Sequence, residues 1–156
     1  MRADNPLAAE SGAVSAGQPT ERSGLHLALR IVITLQVAAI LFQAVTAGQL
    51  LDGTNSMKDA HGTGAGIVHL TGVVQVILAI LWWRPGRGAG WPALVSVLLA
   101  VLGFAQSAVG GNHNLTVHVP LGMTLMGLSV AILVWAWLPG SAARPGRKSA
   151  ERVAMR

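Results

Sequence analysis

Four long stretches of the chain, 31–51, 60–83, 91–109 and 117–138, contain no Asp, Glu, Lys or Arg, and short polar or Gly/Pro-rich segments separate them. At about 1.5 Å per residue, each stretch is long enough as a helix to cross the roughly 30 Å hydrocarbon layer of a bilayer. The first connection, 52–59, carries Gly53, Thr54, Asn55 and Ser56, all turn formers. The second begins Arg84-Pro85-Gly86-Arg87-Gly88, which cannot continue a helix. The third opens Gly110-Gly111-Asn112-His113-Asn114. Pro92 and Pro120 each fall in the opening turn of the helix they begin, where a missing N–H costs nothing. Such short loops force neighbouring helices to be antiparallel, so the pattern predicts an all-α, integral membrane, up-down-up-down four-helix bundle over 25–139. The flanks read differently. Residues 1–24 are rich in Ala, Gly, Ser and Pro and predict a disordered tail, and 140–156 read as a basic tail.

Composition sharpens this picture. The chain is 52% hydrophobic and only 11% charged, too apolar for an ordinary water-soluble domain. Its formal charge is +5, yet of the 11 Lys and Arg residues all but Lys58 fall on one side of a four-span arrangement. By the positive-inside rule both termini are cytoplasmic, and the loops 52–59 and 110–116 face outward. Trp82, Trp83, Trp91, Trp135 and Trp137 agree, since all lie at the cytoplasmic interface as an aromatic belt. The basic balance therefore reports orientation. No basic face interleaved with aromatics exists to bind nucleic acid. The absence of cysteine excludes disulfides, thiolate metal sites and thiol nucleophiles.

Candidate chemistry narrows to histidine. No Asp or Glu lies in any span, and Ser96, Ser107 and Ser129 have no acid–base partner at recognisable spacing. Counted from the cytoplasmic ends of their helices, His61 and His118 differ by only about 3 Å in depth, whereas His69 lies roughly 12 Å deeper than His61. Two imidazoles at one depth on helices 2 and 4 suit the axial positions of a haem inside a four-helix bundle, with His69 as the alternative ligand. Gly122, one turn after His118, leaves a gap where a porphyrin could lie, and Lys58 is placed to pair a haem propionate. Gly62, Gly64 and Gly66 would let a neighbouring helix or a flat cofactor press close. Gln43, Gln75 and Gln106 are expected to bond between helices, and His113 to be solvated.

The segments Gln43 to Gly53, Asp59-Ala60-His61, Gln75 with Ala79 to Gly88, Gln106, and His118-Val119-Pro120-Leu121-Gly122 resemble a family of small bacterial four-span membrane proteins of unknown function. The similarity covers about residues 30–138. More distantly, the chain resembles one four-helix half of haem A synthase. There a His opening the second helix and a His opening the fourth bind haem, roles that fall on His61 and His118. The resemblance implies a bacterial cytoplasmic membrane location and a cytochrome b-like haem b site. This chain has one bundle rather than two and lacks the acidic residue that heads the synthase's outer-loop motif, so it implies no synthase chemistry.

Three functions are open to this sequence. The first is a haem b protein that passes electrons to or from a quinone or a membrane redox protein. The second is a non-redox membrane scaffold or assembly subunit. The third is copper handling through His61, His69 and His113 with Met57, Met123 and Met126, whose ligand types suit copper but whose methionines lie at different depths.

Overall fold

A computed structural model describes residues 18–86 and 88–142, and all regular structure in them is helical. Helix α1 spans Gln18–Leu51, α2 Lys58–Trp83, α3 Trp91–Gly111 and α4 Leu115–Trp137, with a single 3-10 turn at Asn55–Met57. Each of the four is long and apolar enough to cross a membrane. Helix α1 packs against α2 and α4, and α3 packs against the same two, so the helices close a ring.

Helix α1 begins earlier than the charge-free run. The tail expected over 1–24 is helical from Gln18, and its remainder, 1–17, lies outside the described residues, as does 143–156 of the basic tail. The reason is that Arg30 does not end the span. Its Nε donates to the Ala136 carbonyl at 2.7 Å, its Nη2 donates to Ser141 Oγ at 3.2 Å, and its guanidinium lies 5.3 Å from the Trp137 ring centre. With that charge satisfied, Leu25, His26 and Leu29 pack into the bundle below it. Helix α4 also starts early, which places Pro120 inside the helix rather than in its first turn.

The two turns at the end away from the tryptophans close in the same way. After α1, Thr54 N–H donates to Gln49 O at 2.9 Å and Gly53 N–H to Leu50 O at 3.1 Å, with Gly53 at φ 88°. After α3, Asn114 N–H donates to Val109 O at 3.2 Å and His113 N–H to Gly110 O at 2.9 Å, with His113 at φ 56°. Both are Schellman caps, and each needs a left-handed residue at the same place. Glycine supplies it without cost in the first, whereas His113 carries the steric penalty of a Cβ there. His113→Gly is therefore expected to raise the thermal midpoint in detergent, a gain of about 1 kcal/mol. A lowered midpoint would contradict this reading of the turn.

The surface is far more apolar than that of a water-soluble protein, and polar side chains share the interior with an apolar core. The outer surface carries Leu94, Leu70, Val101, Leu41 and Phe104, each more than half exposed. Inside lie Gln36, Thr46, Gln75, Ser96 and Ser129, all at most 4% exposed. Hydrogen bonds between these small and polar residues tie the helices together, as expected where no water competes. Gln75 Nε2 donates to Ser96 Oγ at 3.1 Å between α2 and α3, and Thr71 Oγ1 donates to Gln36 Oε1 between α2 and α1.

The apolar core sits at the tryptophan end. Leu29, Ile33, Ala79 and Trp82 are completely buried, with Ile132 and Ala136 beside them. The Trp135 ring lies 5.7 Å from Trp82 and 4.6 Å from Trp91, and His26 lies 5.5 Å from Trp82. The five tryptophans share one end, but Trp82 is a core residue and not part of a surface belt. The 84–90 connection folds over it: Gly88 N–H donates to Trp82 O at 2.9 Å, and a Cβ at Gly88 would enter the Trp82 ring.

Candidate functional site

At the opposite end, α2 and α4 each bring a histidine into the bundle one turn after their first residue. No backbone contact joins α2 to α4 among the described residues. Even so, the His61 and His118 rings lie 6.4 Å apart between centroids, with planes at 64°. Both are half-buried. The depth match read from the sequence thus corresponds to a real juxtaposition.

Each ring is held through Nδ1. His118 Nδ1 lies 2.9 Å from the Gln106 carbonyl of α3, which can only accept, so Nδ1 carries the hydrogen. His61 Nδ1 lies 2.9 Å from Thr46 Oγ1 of α1. The Thr46 hydroxyl already donates to the Phe42 and Gln43 carbonyls of its own helix, both at 3.1 Å. With its one hydrogen on those carbonyls, the Thr46 oxygen can accept from His61 Nδ1. The bond to a carbonyl leaves His118 Nε2 as that ring's acceptor nitrogen, the state in which a histidine binds a metal while its other nitrogen is oriented by a second group.

The spacing is right for one shared ion. With metal–nitrogen bonds of about 2.0–2.1 Å, two imidazoles on opposite sides of a metal place their ring centres roughly 6.3 Å apart. Two further polar atoms lie within a turn of the pair and lack partners: Gln43 Nε2 on α1 and Gln106 Oε1 on α3, both buried. They sit on α1 and α3, the two helices that carry neither histidine of the pair. In donor type and spacing the pair suits two nitrogen ligands on one ion.

The glycines around the site serve the packing of its neighbours. A Cβ at Gly110 would stand 2.6 Å from His118 Nδ1, so only glycine lets that ring approach α3. At Gly122 a Cβ would stand 2.9 Å from Gln106 Nε2, which donates to the His118 carbonyl at 2.8 Å. Gly122 clears room for that amide. A Cβ at Gly64 would strike Gln43 and Phe42, so α1 presses against α2 there, while Gly62 and Gly66 face open space.

The remaining candidates stand apart from the pair. His69 binds Ser107 Oγ through Nε2 at 2.9 Å and stacks on Phe104. Lys58 is exposed at the first residue of α2, and His113 is occupied with its turn. Met123 is 71% exposed, and no group of three or more His, Cys, Asp or Glu able to hold a metal occurs among the described residues. Sequence reasoning passed over Thr46, Gly110 and the Gln106 carbonyl. Their only signal was position, each a few residues from the turn that faces a histidine.

No family model, no curated protein and no solved structure matches the chain. Fold and site define its class: an all-helical chain of four helices, each able by length and composition to cross a membrane, with a pair of oriented histidines at one end.

Proposed function

We propose that this chain is a haem b-binding integral membrane protein that exchanges electrons with a quinone or a redox protein of the same membrane. In this reading it is an up-down-up-down bundle in the bacterial cytoplasmic membrane, with both termini in the cytoplasm and the histidine pair toward the outer face. The apolar surface supports insertion, because an exposed shell of Leu, Ile, Val and Phe needs hydrocarbon around it. The one-sided distribution of Lys and Arg supports the orientation.

One observation carries the haem assignment. The His61 and His118 rings lie 6.4 Å apart, each held at Nδ1 by a neighbouring helix, a spacing that suits two nitrogen ligands of one iron. A haem bound there supplies one-electron exchange at iron. The chain's own residues do the rest. Thr46 and the Gln106 carbonyl hold the imidazole planes and make Nε2 more basic by accepting from Nδ1–H. Gln43 Nε2 and Gln106 Oε1, buried without partners, would supply a donor and an acceptor beside the histidines, and Lys58, exposed at the start of α2, would supply a cation.

Two measurements test this. Haem extracted from the purified protein, made in haem-replete cells, is expected at about one per chain, in line with one pair of axial ligands. Thr46→Val removes the acceptor for His61 Nδ1 while preserving shape, and is expected to weaken haem binding about 10–100-fold in a titration with haemin. An affinity equal to that of the unaltered chain would show that Thr46 does not orient a ligand.

A further inference from the structure

Two arginines stand at the tryptophan end of the bundle, at the level where α2 and α4 stop. Arg84 follows the last residue of α2, and Arg30 of α1 reaches the Ala136 carbonyl one residue before α4 ends, so both lie within a turn of that boundary. Each guanidinium sits on a tryptophan. That of Arg84 is 5.0 Å from the centre of the Trp83 ring, and that of Arg30 is 5.3 Å from the centre of Trp137. Both rings are partly open, at 40% and 53% exposure, as suits an amphipathic ring at a membrane interface. Their positions are fixed from behind. A Cβ at Gly90 would stand 2.8 Å from Trp83 Nε1, so glycine lets α3 begin against that ring, and Trp137 Nε1 donates to Thr34 Oγ1 at 3.3 Å.

No carboxylate is placed to neutralise these cations. Between residues 22 and 150 the only acidic residues, Asp52 and Asp59, lie at the histidine end. Arg30 commits Nε and Nη2 to Ala136 and Ser141, whereas the exposed Arg84 side chain commits no donor among the described residues. A guanidinium fork matches two oxygens of a phosphate, and it is weakly enough hydrated to act at an interface. The surroundings say which phosphate. Ile80 and Leu81 precede Arg84, and Leu27 and Ile31 flank Arg30, each between 42% and 50% exposed. A soluble anion has no use for that apolar margin. A phospholipid carries a phosphate and acyl chains in just this juxtaposition, and an anionic one brings no ammonium of its own to face the arginines.

We propose that the tryptophan end binds anionic phospholipids. The Arg84 fork donates to a lipid phosphate beside the Trp83 ring, Arg30 offers its remaining donor group as a second seat beside Trp137, and the acyl chains lie on the apolar margin. The inference rests on the membrane reading of the four helices and is independent of the haem.

The test uses the full chain. Taken up into neutral phosphatidylcholine vesicles, it is expected to resist an alkaline wash, and release by the wash would overturn the membrane reading and this proposal with it. In neutral detergent micelles, short-chain phosphatidylglycerol is then titrated against tryptophan fluorescence, with phosphatidylcholine of the same chain length and inorganic phosphate as comparisons. Phosphatidylglycerol is expected to bind at least about tenfold more tightly than phosphatidylcholine, since both arginines contribute. Arg84→Gln alters an exposed side chain and keeps the backbone bond to Ile80 O, so the bundle is expected to fold. It is expected to weaken phosphatidylglycerol binding about fivefold and to leave phosphatidylcholine unchanged. Arg84→Lys is expected to recover part of the loss, because it restores the charge without the fork. Equal affinities for the two lipids, or no loss in Arg84→Gln, in a chain that inserts would overturn the site and leave the membrane reading intact. Inorganic phosphate that displaces phosphatidylglycerol mole for mole would reveal an anion site without lipid selectivity, which also overturns it.

Discussion

His118→Ala is expected to abolish the Soret absorption and the sharpened reduced visible bands of the purified protein while the bundle stays folded. In the proposed haem site the variant would remove one of the two histidine ligands and leave His61 without its counterpart. The structural cost is small. The bond lost is His118 Nδ1–H to the Gln106 carbonyl, a net contribution of about 1 kcal/mol, whereas Gln106 Nε2 still finds the backbone carbonyl of residue 118. Because the deleted ring leaves a space of its own shape, free imidazole added to the variant is expected to restore part of the absorption. An undiminished spectrum in His118→Ala would place the haem elsewhere. A variant that unfolds would be separated from one that merely loses haem by its helical circular dichroism.

The largest effect on stability is expected at the opposite end. Trp82 is completely buried, packed among Leu29, Ala79 and Ala136 with the Trp135 and His26 rings against it. Its Nε1 is buried without a hydrogen-bond partner, so its contribution is packing rather than polar pairing. Trp82→Ala is expected to cost about 3–5 kcal/mol, read as a marked fall in the thermal midpoint in detergent. The histidine pair lies at the other end of α2, so at low temperature the haem spectrum of this variant is expected to persist. A loss below about 1 kcal/mol would mean that the tryptophan end is not the anchor of the fold.

Much of the fold was legible because its pattern is coarse. Runs without charge mark helices long enough to cross a membrane, and Gly/Pro clusters mark their ends, whatever the tertiary contacts. What escaped notice depended on contacts that a charge count cannot register. Arg30 looked like the end of a span, yet the Ala136 carbonyl and Ser141 satisfy it and α1 continues to Gln18. Trp82 looked like one more interfacial tryptophan, and only packing shows it to be core.

The site divides in the same way. The matched depth of His61 and His118 follows from helix rise alone, and their rings do meet. Their orientation does not follow from helix rise. It depends on a threonine hydroxyl already committed to its own helix and on a main-chain carbonyl, and carbonyls are identical at every position of a sequence. Gly122 was identified for a plausible reason and serves another, since the space beside it belongs to Gln106. Depth set His69 apart from the pair while leaving it the alternative ligand, and its bond to Ser107 and its stack on Phe104 required the register of α2 against α3.

The central claim is that two imidazoles fixed through Nδ1 bind one haem between α2 and α4. A reduced-minus-oxidised absorption spectrum of the purified full-length protein, made in haem-replete cells, tests it most directly. The account predicts a Soret band with sharp visible bands on reduction, the signature of iron held by two histidines. A protein that remains colourless, with helical content intact, would contradict it.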